Sequence, residues 1–287
     1  MDALIPAGLA LALIFYCAGL RRMPRNLRRI VFSPRRNLAF ASAIVILFAA
    51  LVYPLDGLDD QLFCAHMAQH LVLMMVAPPL LVAARPALAS LWAFPLPARR
   101  ALGHFYIRSG LRTVAQALTA PVAVWILCSA ALWFWHLPGP YGWAMENELV
   151  HAVEHLCFFV TSLMFWSLVL EPAGRHRRLG YPGALLFVAT FGIENGMLGA
   201  ILTFSTHPLY RAYFTTTAAW GLSPLEDQQL GGLGMWIPAG LFHLTTLCIL
   251  FVAWLRSETV TIHGGARAEA KPDLALPARA SSHFSYN

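Results

Sequence analysis

Seven stretches of this chain are each long and apolar enough to cross a lipid bilayer, and this pattern restricts the possible folds more than any other feature. A hydrocarbon core of about 30 Å needs roughly 20 mainly apolar residues in a helix. Hydrophobic residues make up 58% of the chain and charged residues 12%. The sequence therefore predicts an all-α, polytopic membrane helix bundle with seven transmembrane helices, at about 3–20, 38–55, 62–84, 118–136, 149–170, 183–204 and 235–255.

Basic residues collect on one side of these predicted helices. The loops after the first, third and fifth helices and the segment after the seventh are rich in arginine, whereas the remaining loops contain only Arg211. Because arginine and lysine concentrate in cytoplasmic loops, the pattern predicts an N-terminus outside and a cytoplasmic C-terminus. The formal net charge of +6 then reflects topology, and we expect no nucleic-acid partner.

Two segments are expected to lie outside the bundle. Residues 85–117 mix aromatic residues with arginines and prolines, which is typical of short interfacial helices on the cytoplasmic leaflet. The end of the chain is rich in Ala, Pro and Ser and has little apolar surface. We therefore expect a transmembrane domain over 1–256 and a disordered cytoplasmic tail over 257–287.

Histidines occupy the outer ends of several predicted helices. His66 and His70 are four residues apart, as are His151 and His155, so each pair lies on one helix face. An imidazole within hydrocarbon is costly, and an intramembrane ionisable residue indicates a functional site. The topology puts six histidines in the outer half of the membrane, namely His66, His70, His136, His151, His155 and His243.

The residue types near these histidines favour a copper site reached from outside. Imidazoles bind Zn, Cu, Fe and Ni, and sulfur ligands shift the preference toward Cu(I). Cys64 and Met67 flank His66 and are further candidate ligands. Glu154 and Glu194 are carboxylates predicted within the membrane, where they would orient a ligand or accept its proton.

Other interpretations of the same residues stay open at this point. The histidines would also serve as polar groups that hydrogen-bond neighbouring helices, with Met and Cys as packing residues. His151-x-x-Glu154-His155 matches the inverted zincin pattern of a zinc metallohydrolase. A copper importer or resistance protein would use the same ligands. A dihaem electron carrier fits less well, because histidines four apart cannot bind opposite faces of one haem.

Two motifs resemble the signatures of the CtaG family of cytochrome c oxidase assembly proteins. Residues 66–81 read HMAQHLVLMMVAPPLL, and Trp135-His136-Leu137-Pro138 is followed by HAVEH at 151–155 and Phe165-Trp166. The resemblance implies a multi-pass protein of the bacterial inner membrane that is not an enzyme and that helps to deliver copper to a haem-copper oxidase. The expected partners are oxidase subunits, a periplasmic copper chaperone and the lipid bilayer.

Overall fold

A computed structural model describes residues 3–170 and 179–269 of the chain. The regular structure of these residues is helical, which confirms the predicted all-α fold. In chain order the α-helices are α1 (Leu4–Arg22), α2 (Arg25–Val31), α3 (Pro34–Leu51), α4 (Phe63–Leu71), α5 (Ala77–Ala84), α6 (Pro86–Leu91), α7 (Leu96–Arg108), α8 (Leu111–Leu118), α9 (Pro121–Trp135), α10 (Pro138–Glu146), α11 (Glu148–Leu170), α12 (Gly180–Thr203) and α13 (Pro224–Glu269).

The described residues contain six to seven candidate membrane spans, in agreement with the polytopic bundle. Helices α8 and α9 meet at a bend of 68° and make the seventh span if they are taken as one. Helix α9 has 15 residues, or about 22 Å at 1.5 Å per residue, and ends at Trp135, directly before His136. The six straight spans are Leu4–Arg22, Pro34–Gly57, Phe63–Ala84, Glu148–Leu170, Gly180–Thr203 and Pro224–Glu258.

The third span is continuous but contains a wider turn. A π-helical segment, Val72–Val76, joins α4 to α5 just before Pro78 and Pro79. Proline has no backbone N–H, so Pro78 frees the carbonyl of Met74 four residues earlier. The indole N–H of Trp166 on α11 donates to that carbonyl at 2.8 Å. Helix α11 therefore stabilises the segment that follows the His66–His70 pair.

Helices α12 and α13 pack closely through small residues. A Cβ atom added at Gly199 would lie 2.8 Å from the backbone nitrogen of Trp236 and 2.9 Å from the carbonyl oxygen of Gly232. Glycine at this position allows the two backbones to approach, which is a common form of helix contact in membranes.

The segment expected between helices on the cytoplasmic side forms the short helices α6, α7 and α8. Large apolar side chains of α7 are exposed, including Phe105 and Ile107. An exposed apolar side suits a helix that rests on a bilayer. The position of these helices at the membrane surface stays a prediction.

The last helix is longer than the apolar run that predicted it. Ser223 and Glu226 form a capping box, in which the Ser223 N–H donates to Glu226 Oε2 at 2.8 Å and Glu226 N–H donates to Ser223 Oγ at 3.2 Å. Pro224 occupies the first turn, so α13 begins at Pro224 and not near 235. It also runs through the boundary expected at 257, to Glu269, while residues 270–287 lie outside the described residues.

Candidate metal centre

Helices α4 and α11 bring both histidine pairs and Glu154 together. On α4, the Nε2 atoms of His66 and His70 lie 2.8 Å apart. Glu154 of α11 places Oε1 3.7 Å from His70 Nε2 and Oε2 3.9 Å from His66 Nε2. The ring centroids of His66 and His151 are separated by 4.9 Å, and those of His70 and His155 by 5.2 Å. We call these five residues the histidine cluster.

Two groups within the histidine cluster have the dimensions of a metal site. Ligand atoms of His66, His151 and His155 all lie within 4.8 Å of one another, and so do those of His66, His70 and Glu154. The two groups share His66. A single ion held by either group therefore lies next to a ligand of the other.

Three residues of the histidine cluster, His66, His70 and Glu154, are buried, while His151 and His155 are half-buried, and the cluster contains polar atoms without partners. His66 and Glu154 are both 0% exposed. Within the described residues, both Glu154 oxygens, His70 Nδ1 and His155 Nε2 have no hydrogen-bond partner. Burying such a group unsatisfied costs about 1–3 kcal/mol. An ion that accepted these lone pairs would offset that cost.

His136, at the end of α9, faces the same region. Its Nδ1–H donates to the carbonyl of Leu132 at 2.7 Å, since a carbonyl oxygen only accepts. The lone pair of the neutral ring is then on Nε2, which is buried and has no partner among the described residues. The ring centroid lies 6.0 Å from that of His70. His136 is therefore oriented as metal-binding histidines are, with its second nitrogen fixed by a carbonyl.

A tyrosine network packs against the histidine cluster. Tyr213 donates its hydroxyl proton to the carbonyl of Asp59 at 2.9 Å. The Tyr213 oxygen therefore accepts from Tyr141, at 2.7 Å, and from His66 Nδ1, at 3.4 Å. This arrangement assigns the proton of His66 to Nδ1 and puts the lone pair on Nε2, the atom that faces His70 Nε2 at 2.8 Å.

Asp59 is an acidic neighbour that the sequence did not identify as part of the site. Asp59 belongs to the loop between α3 and α4, and its Oδ2 lies 3.9 Å from His151 Nε2. Burial, with the nearby carboxylates of Asp60 and Asp56, raises the pKa of Asp59 to about 7. Neither Asp59 nor the two tyrosines had a sequence signal, because each reaches the cluster from a loop or a short helix.

Two predicted site residues lie apart from the histidine cluster. His243 belongs to neither ligand group and lines a separate cavity with Met74, Met75 and Cys128. Glu194 accepts a hydrogen bond from Ser129 Oγ at 2.6 Å, which links α12 to α9.

Cys64 and Met67 also lie outside the two ligand groups. The backbone N–H of Cys64 donates to Asp227 Oδ1 at 3.0 Å. Met67 is buried and packs near Gly231 of α13. Metal binding by these two sulfur atoms stays a prediction.

The family model of the cytochrome c oxidase caa3 assembly factors, Caa3_CtaG, matches residues 14–257. The chain belongs to this family. The resemblance identified from the two motifs is thereby confirmed. In this caa3 assembly factor family member, the motif at 66–81 and the HAVEH segment at 151–155 supply the histidine cluster.

Relatives in three mycobacteria are similar to this CtaG family member over most of its length. Uncharacterized proteins of Mycobacterium bovis and Mycobacterium tuberculosis are each 25% identical over 270 residues, which cover 90% of the chain. One from Mycobacterium leprae is 24% identical over 270 residues. The chain spans 39% of the length of these relatives. No solved structure matches it.

Proposed function

We propose that the histidine cluster binds copper near the periplasmic surface of the inner membrane. The protein passes this copper on during cytochrome c oxidase assembly. One observation carries the proposal: two three-ligand groups, one fully buried and one partly buried, share His66, with the ligand atoms of each group within 4.8 Å of one another. A purely structural histidine network would pair its polar atoms. Here both Glu154 oxygens and three cluster nitrogens lack partners within the described residues, the nitrogens being His70 Nδ1, His151 Nε2 and His155 Nε2.

The donor set and the family together favour copper among the metals that imidazole binds. Imidazole suits Zn, Cu, Fe and Ni. The family serves assembly of a cytochrome c oxidase, and a haem-copper oxidase needs copper. In this proposal copper is cargo, so a site of moderate affinity suffices.

Because the two ligand groups share His66, a copper ion would have a route from one group to the other. We assign the first position to His66, His151 and His155, and the second to His66, His70 and Glu154. His66 would remain bound while the other ligands exchange, so the ion never loses all its ligands. The Glu154 carboxylate offsets the positive charge of the ion in a medium where an uncompensated charge is costly.

The remaining parts of the proposal concern location and partners. The arginine-rich loops support a bacterial plasma-membrane protein with the cluster on the periplasmic side. A periplasmic copper chaperone would supply the ion, and an oxidase subunit docked in the membrane would receive it. The protein then acts as an assembly factor and not as an enzyme.

Metal content of the purified protein tests the proposal. Protein in detergent is loaded with Cu(I), washed and analysed by mass spectrometry, with a variant in which His66, His70, His151 and His155 are all Ala. His104→Ala is the control, because His104 is an exposed residue of α7. A copper content per chain that is lower than wild type in the quadruple variant alone supports the proposal. Equal copper in all three proteins refutes the assignment, and stoichiometric zinc in place of copper favours the hydrolase alternative.

Oxidase maturation provides the cellular test. Cells that carry the quadruple variant should lack the spectrum of the assembled oxidase while the variant protein remains in the membrane. Normal spectra would contradict a role in copper delivery. Normal spectra together with reduced cellular copper would favour the import alternative.

A further inference from the structure

His243 has the features of a metal ligand although it lies apart from the histidine cluster. It is 3% exposed, on the face of α13 that meets α12. Its Nδ1–H donates to the carbonyl of Ala239 at 2.8 Å, so the lone pair of the neutral ring is on Nε2. Nε2 is buried and has no hydrogen-bond partner within residues 3–170 and 179–269. The same tautomer and the same unpaired atom occur in His136.

The cavity beside His243 is small and rich in sulfur. Its lining includes His243, Met74, Met75, Cys128 and Ser162. Its volume is about 10 Å³, which is about the space needed by one water molecule or one metal ion. Met75 and Cys128 are each 4% exposed and Met74 is 6% exposed. A water molecule or an ion in this cavity would therefore be surrounded by buried side chains.

Local structure explains why two consecutive methionines line this cavity. Met74 and Met75 are consecutive residues of the π-helical segment, where the wider turn buries both. The bond from the Trp166 indole to the Met74 carbonyl fixes this turn. Such π-bulges occur frequently at functional sites.

A close helix contact fixes the position of His243. A Cβ atom added at Gly192 would lie 3.2 Å from both Cβ and Cγ of His243. Glycine therefore lets α12 pack directly against the histidine. Backbone therefore positions the ring from two sides, through Gly192 and through the Ala239 carbonyl that accepts from Nδ1, which leaves Nε2 unpaired.

We propose that this cavity is a second site, specific for a soft monovalent cation, Cu(I), bound by His243 Nε2 and the thioethers of Met74 and Met75. Thioether sulfur selects Cu(I) over Zn and over harder cations. All three ligands are neutral, so binding requires no proton release and buries only one positive charge. The thiol of Cys128, which donates to the carbonyl of Thr161 at 3.4 Å, borders the ion.

The second site rests on the proposed function only for its source of copper. Copper bound there would lie deeper along the third span than copper in the histidine cluster. Met74 lies one helical turn beyond His70 in the chain. An ion that left the histidine cluster toward the bundle interior would meet thioether ligands next. The cluster would hold copper by nitrogen and oxygen, whereas the second site would hold Cu(I) by sulfur.

X-ray absorption spectroscopy distinguishes the two sites, because the five residues of the histidine cluster offer only nitrogen and oxygen ligands. The full chain is loaded with Cu(I), and copper content and sulfur scattering are measured for the wild type and the quadruple histidine variant. We expect the quadruple variant to retain one copper per chain with sulfur in its coordination shell. Adding His243→Ala or Met75→Leu to it should remove that copper.

A matched substitution controls for general effects on packing. Met164→Leu makes the same chemical change at a partly buried residue of α11 that does not line the cavity. It should leave the retained copper in place. Met75→Leu conserves volume, so it tests the ligand even if His243→Ala disturbs folding.

The outcomes separate this inference from the proposed function. Copper bound by the wild type with only nitrogen and oxygen neighbours, and none in the quadruple variant, overturns the second site and keeps the histidine cluster. It would leave the cavity as the position of a water molecule. Copper unchanged in the quadruple variant but lost with His243→Ala overturns the cluster and keeps the second site. Loss with Met164→Leu as well overturns the ligand assignment.

Discussion

The carboxylate of Asp227, at the start of α13, caps α4 by accepting the backbone N–H of Phe63 at 2.6 Å. It also accepts the N–H of Cys64 at 3.0 Å. The first N–H groups of a helix have no intrahelical partner, and an anion there is favoured by the helix dipole. Asp227 thus fixes the N-terminus of the helix that carries His66 and His70. It is a positioning residue for the proposed copper site.

Asp227→Ala should destabilise the fold and weaken copper binding together. Hydrogen bonds to charged groups contribute about 1.5–3 kcal/mol each, and the substitution leaves two N–H groups without their acceptor. We expect a lower unfolding temperature in detergent and reduced copper content. The control is Asp60→Asn, an exposed carboxylate in the loop before α4. An Asp227→Ala protein with wild-type stability would show that water replaces the cap without cost.

Glu154→Gln should weaken copper binding without disturbing the bundle. Glutamine keeps the size of the side chain but removes the carboxyl group, whose Oε1 lies 3.7 Å from His70 Nε2 and which would supply a negative charge to a bound copper ion. Loss of a residue that supports a metal site typically costs 10–100-fold in affinity, and we expect a loss of about that size. A competition titration with a Cu(I) chelator measures it.

Glu194→Gln is the matched control for that experiment. Glu194 is also a carboxylate within the bundle, but its partner is the hydroxyl of Ser129. We expect its copper affinity to equal that of the wild type. Equal losses of copper affinity in both variants would mean that removing any carboxylate from the bundle weakens binding. The effect would then not be specific to the histidine cluster.

Helical spacing and topology predicted part of the site. Residues four apart share a helix face, so His66 and His70 were expected together, as were His151 and His155. In the predicted topology both helices run inward from the outer surface, which gives the two pairs a similar depth. The observed contact between His66 and His151, with ring centroids 4.9 Å apart, follows the predicted depth.

The arrangement of the helices around one another in the plane of the membrane could not be predicted in the same way. His243 has a depth similar to the histidine cluster in the predicted topology, but its helix packs against Gly192 of α12, and His243 lines a separate cavity with Met74 and Met75. Which helices become neighbours depends on tertiary packing, and hydropathy carries no information about it. The cap by Asp227 was missed for the same reason, because Asp227 and Phe63 are 164 positions apart.

Trp166→Phe should destabilise the π-helical segment. Phenylalanine keeps the aromatic packing but loses the N–H that donates to the Met74 carbonyl at 2.8 Å. A buried carbonyl left without a partner costs about 1–3 kcal/mol, and we expect a comparable loss in the free energy of unfolding. Thermal unfolding in detergent measures the change. Trp143→Phe, at a residue 57% exposed, should have little effect; equal shifts would attribute the loss to tryptophan removal in general.

Two glycines of α13 provide a sharp test of the α12–α13 contact. A Cβ atom at Gly232 would lie 2.7 Å from the backbone nitrogen of Thr203 and 2.8 Å from the carbonyl oxygen of Gly199, whereas one at Gly234 meets nothing within 4 Å. Gly232→Ala must separate the two backbones, and overpacking of this kind costs about 1–3 kcal/mol. Gly234→Ala should be neutral or stabilising by up to about 1 kcal/mol, because alanine is the better helix former. Unfolding temperatures of the two variants in the same detergent measure the difference. Similar temperatures would contradict the close approach of α12 and α13.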